Sequence, residues 1–87
     1  MSEDEAIIIC DKAINTYGQA LQKVVAMEEM GELIQAISKD LRDLPHNVEE
    51  EIADVEIMLT QLKIMYDFGL VNKIKEQKLK RLKESVW

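Results

Sequence analysis

Apolar residues recur along this chain at helical spacing, and the polar residues between them mark where helices start and stop. Ser2 with Glu5 three residues later has capping-box spacing, which predicts a first helix running to about Asn15. Tyr17-Gly18 is a weak break, so a long second helix follows from about Gln19 to Asp43. Pro45 closes it, because proline disfavours helical geometry in the residue before it. Asn47 and Glu50 repeat the capping-box spacing, and Glu49 adds negative charge to the first turn. A third helix is therefore predicted over Val48–Phe68, with Gly69 as its left-handed C-terminal cap. A shorter basic helix runs from about Val71 to Ser85, with Ile74, Leu79, Leu82 and Val86 as its apolar positions. The expectation is one all-α domain over residues 1–87, four-helix bundle-like, with long helices two and three at its centre.

Helix three carries more apolar surface than one core needs. At 100° per residue, Val55, Leu59, Leu62 and Tyr66 form one stripe, while Ile57, Ile64 and Phe68 form another. A helix apolar on two sides is buried on two sides. The first stripe is expected to face the core of the chain and the second to meet another subunit, since small cores commonly need oligomerisation. The alternative is that the other three helices wrap helix three completely.

Acids interrupt these faces. Glu28, Glu29 and Glu32 cluster on one side of helix two, on a strip that is apolar at both ends through Leu21, Val25 and Ala36. The main apolar stripe of that helix, Met30, Leu33, Ile34, Ile37 and Leu41, lies to one side. On helix three, Glu51 and Asp54 share a face with Val55, Met58 and Leu62. Carboxylates grouped on an interior face repel one another unless protons or cations neutralise them. A hard divalent cation suits an all-oxygen donor set, and facing helices of a bundle are a usual place to build one. The competing reading is a solvated acidic face, common in a chain with 17 acids. No Glu-x-x-His occurs, which argues against a redox di-iron site, and His46 reads as a solvated loop residue.

Composition narrows the partners. One proline and three glycines supply little turn material for a sheet. A net charge of −6 argues against nucleic acid polymers and anionic membranes, although six of the eleven basic residues fall in the last fifteen positions. Cys10 is alone, in the apolar run Ile7–Cys10, and reads as a buried structural thiol in a reducing cytoplasm. No run approaches the length of a membrane span, and the acidic N-terminus is unlike a secretory signal.

The order Glu28-Glu29-Met30-Gly31-Glu32, about twenty residues, then Glu51-Ile52-Ala53-Asp54 on the next helix resembles the MazG-like all-alpha nucleoside triphosphate pyrophosphohydrolases. Tyr17-Gly18-Gln19 before the first motif and Asp54-Val55 in the second fit as well, so the resemblance covers about Thr16 to Leu82. It implies hydrolysis of a (deoxy)nucleoside triphosphate to the monophosphate and pyrophosphate. Mg²⁺, with Mn²⁺ as a substitute, would be held by Glu29, Glu32, Glu51 and Asp54, with Glu28 or Glu32 taking a proton from water. Lys78 and Arg81 would contact phosphate, although Leu82 stands about where the family often has an asparagine. The resemblance also implies a homodimer or homotetramer, in agreement with the doubly apolar helix. The alternative function is a non-catalytic helical oligomer that binds nucleotide or metal.

Overall fold

The computed structural model describes residues 1–87 as four helices and no strand: α1 (Glu3–Tyr17), α2 (Gln19–Leu41), α3 (Val48–Met65) and α4 (Phe68–Val86). None is long and apolar enough to cross a membrane. The first cap forms as its sequence implies, with Ser2 Oγ accepting the Glu5 N–H at 3.1 Å above an acidic first turn. Gly18 is the whole of the α1–α2 break. Its φ of 93° lies where a side chain is strained, so glycine lets the chain turn within a single residue.

Three junctions differ from expectation. Helix two stops at Leu41, because Asp43 turns left-handed at φ 55° and Leu44 N–H reaches back to the Lys39 carbonyl at 2.9 Å. Asn47 makes no side-chain cap; His46 Nδ1 accepts the Val48 N–H instead, at 3.3 Å, and His46 Nε2 lies 3.3 Å from Asp40. Helix three stops at Met65, and Asp67 Oδ1 caps α4 by accepting the Leu70 N–H at 3.0 Å. Phe68 and Gly69 therefore open α4; Gly69 does not close α3.

The body of the molecule is α1, α2 and α3 packed on one another, while α4 touches α3 alone. Residues buried along the α2–α3 contact are Gln22, Ala26 and Ala36 against Glu51, Met58 and Gln61. With Glu29 and Leu33 on α2, and Asp54 and Met65 on α3, these positions alternate in steps of three and four. That is the spacing of a knobs-into-holes seam. The helices run antiparallel, as the pairing of Gln22 with Gln61 and of Glu29 with Asp54 requires. Lys23 Nζ sits 4.7 Å from the Tyr66 ring centroid and ties the start of α2 to the end of α3.

The apolar faces fall differently from the expected arrangement. On α2, Ile34, Ile37 and Leu41 are exposed, and the helix packs instead through small and polar residues. On α3, Ile57 lies on the α1 side, where its carbonyl faces the Cys10 thiol at 3.8 Å, while Phe68 belongs to the next helix. Leu59 and Tyr66, expected inside, are exposed. Cys10 itself is buried, as its setting suggested, and burial pushes its thiol pKa up.

Candidate metal centre

The carboxylates lie on the α2–α3 seam. Glu29 comes from the middle of α2, and Glu51 and Asp54 from the first two turns of α3. One carboxylate oxygen from each lies within 4.8 Å of the others. Glu51 is buried and the other two are half-buried. The three-residue step from Glu51 to Asp54 keeps both on the α2 side, and the antiparallel register brings Glu29 opposite them.

Among the carboxylate oxygens of this trio, Glu29 Oε2 and Glu51 Oε2 are buried and have no hydrogen-bond partner. Neither the His46–Asp40 contact nor the Lys80–Glu76 ion pair reaches any of the three acids. A buried carboxylate oxygen facing other carboxylates without a donor or cation is costly. The electrostatics follow. Desolvation, then repulsion from Glu32, Asp54 and Glu51, raises the Glu29 pKa above its ordinary value of 4.5. Desolvation also raises Glu51, helped by Glu32 and Asp54 and opposed by a hydrogen bond from Asn47. That bond, Asn47 Nδ2 to Glu51 Oε1 at 2.9 Å, fixes one oxygen of Glu51 and leaves the other unpaired.

The remaining acids of the two motifs stand at different distances from this centre. Glu32 is exposed, yet near enough to act on both Glu29 and Glu51. Glu28 is exposed and outside the trio. Lys78 lines a groove between α3 and α4, beside Leu59, Leu62 and Tyr66 and on a different side of α3 from the acids; Arg81 is exposed on the same helix. One chain thus brings Glu29, Glu51 and Asp54 together, keeps Glu32 beside them, and holds Lys78 and Arg81 elsewhere. Asn47 is the residue that motif reading missed. Its position four before Glu51 places it on the same helix face, and that spacing was the available signal.

No family model matches the chain, and neither does a curated protein or a solved structure. The resemblance to MazG-like enzymes rests on the two acidic motifs and their surroundings alone.

Proposed function

We propose that this protein is a magnesium-dependent nucleoside triphosphate pyrophosphohydrolase that works as a homo-oligomer. The observation that carries the reading is the pair of buried, unpartnered carboxylate oxygens of Glu29 and Glu51 beside Asp54, with no basic side chain to neutralise them. An all-oxygen, anionic donor set of this kind fits a hard divalent cation and leaves room for water and phosphate ligands. When bound, such a cation supplies charge neutralisation, polarises a phosphoryl group and lowers the pKa of a coordinated water.

In this reading Glu29, Glu51 and Asp54 hold the cation, and Asn47 orients Glu51 through the oxygen it occupies. Glu32, exposed at the mouth of the cluster, is free to accept a proton from water; Glu28 is too far out on the surface to be the first choice. Lys78 and Arg81 steady phosphate only if another copy presents them, because within one chain they lie on a different side of α3.

The test is a panel of ribo- and deoxyribonucleoside triphosphates with Mg²⁺, scored for pyrophosphate and monophosphate together. Stoichiometric release of both supports the reading. Metal-linked thermal stabilisation without turnover would establish the non-catalytic, metal-binding alternative instead.

A further inference from the structure

Within one chain, α4 has almost nothing to cover its apolar side. At 100° per residue, Phe68, Val71, Leu79, Leu82 and Val86 share one stripe, and all but Phe68 are exposed. The facing wall of α3 offers Leu59, Leu62 and Tyr66, and between the two helices opens a groove of about 960 Å³. Leu79 is 53% exposed, Leu82 55% and Tyr66 68%.

The dimensions say how much surface is left over. The radius of gyration is 15.3 Å; a folded chain of this length has about 12 Å. The chain exposes 6856 Å² of accessible surface at 10.0 kDa, whereas folded monomers of that mass expose about 5,200 Å². The excess of roughly 1,600 Å² falls inside the ~1,000–2,500 Å² that each partner of an obligate homodimer buries. From Phe68 onward, six basic residues stand against only Glu76 and Glu84, while the preceding residues hold fifteen acids against five basic side chains. The groove itself is lined by Lys63, Lys75 and Lys78 against Glu56, so its apolar walls, and not charge inside it, are what a second apolar stripe would meet.

We propose that the α3–α4 groove is the docking site for a second copy of this chain, each copy laying its α4 into the groove of the other. The proposal rests on the assembly part of the functional reading and is independent of the hydrolytic part. It moves the interface from the Ile57 side of α3 to the Leu59–Tyr66 side.

The test combines sedimentation of the full chain with a photo-crosslinking residue at position 79, in a mixture of ¹⁴N- and ¹⁵N-labelled protein. The expected result is a dimer or larger at micromolar concentration, with isotope-hybrid crosslinks from position 79 to residues 56–66. Leu79→Glu with Leu82→Glu should shift the assembly to monomer by at least tenfold in dissociation constant, whereas Ile8→Glu, on the exposed side of α1, should leave it unchanged. A wild-type monomer would overturn both the assembly and the groove. An oligomer whose crosslinks from position 79 are all within one chain, or reach only α1, would overturn the groove and keep the assembly. Crosslinks to a different co-purified protein, with no hybrids, would also overturn it. If the double glutamate variant fails to fold, the hybrid crosslinks still decide.

Discussion

The faces that α3 turns toward α2 and toward α4 are built on opposite principles. Toward α2, the helix is closely packed yet polar, with Gln61, Asp54 and Glu51 in seam positions that a bundle ordinarily gives to Leu or Ile. Toward α4 it is apolar and open, with Leu59 and Tyr66 exposed over a groove. A folding chain that sought only stability would reverse these assignments. The proposed function and assembly would account for the arrangement, with the α2–α3 seam reserved for chemistry and the α3–α4 face for a second copy.

The sharpest way to break the comparison is to remove the charges from the seam. Glu29→Gln and Asp54→Asn should each lower turnover by ~100-fold or more, the loss that even an outer partner of a metal ligand can cause. Both variants should keep a helical circular dichroism spectrum, because each removes a repulsion from the metal-free fold. Retained activity in both would show that the polar seam is not the reaction centre.

Next in size is the Gln22–Gln61 pair, joined by a buried hydrogen bond of 2.8 Å. Gln61→Leu alone strands the Gln22 amide and should cost about 1–3 kcal/mol, a fall in melting temperature of ~4–20 °C for a domain of this size. The double variant Gln22→Leu/Gln61→Leu should recover most of that, since replacing both partners leaves no orphan. Thermal melts of the two variants side by side measure the difference.

A third prediction uses pH. Glu29 and Glu51 have folded-state pKa values raised above 4.5, so the folded protein binds their protons more tightly than the unfolded chain does. Their contribution to stability is present below about pH 4.5 and is lost as pH rises through the higher folded values. Glu51→Gln should make the melting temperature rise more, or fall less, between pH 4.5 and neutrality than in the wild type. Millimolar Mg²⁺ at neutral pH should raise the wild-type melting temperature and leave Glu51→Gln little changed. An identical metal response in the two proteins would place the cation elsewhere.

The smallest effect belongs to the loop that connects the two pairing helices. Asp43 holds a left-handed φ of 55°, which glycine adopts without a side-chain penalty. Asp43→Gly should change stability by about 0.5 kcal/mol or less, the relief partly cancelled by greater freedom in the unfolded chain. A urea titration resolves a shift of that order. A large change would mean that Asp43 makes a contact beyond its backbone role.

Much of this was legible in the residues. Four helices could be counted because Ser2, Gly18, Pro45 and the acids after Asn47 each punctuate the chain with a local rule. The acidic motifs stood out because carboxylates interrupted apolar strips. The end of α3 was hidden, since Ile64 to Val71 reads as nearly continuous apolar helix and only Asp67, a single capping residue, divides it. The seam was hidden for a deeper reason. Periodicity finds the apolar face of a helix, and here Gln22, Ala26, Ala36 and Gln61 are buried while Ile34 and Leu41 are exposed. On α2 the apolar stripe therefore does not mark the inside of the single chain.

The separation of charge described above also gives the molecule a direction. With a basic helix at one end and an acidic body at the other, each chain is an electric dipole, and two chains approaching through water exert a torque on each other before they touch. If two copies assemble as proposed, encounters are thereby biased toward basic end against acidic body, and random collisions become productive more often. The advantage belongs to the on-rate, fades as added salt shortens the reach of the field below about 10 Å, and leaves the dissociation rate to the apolar contacts.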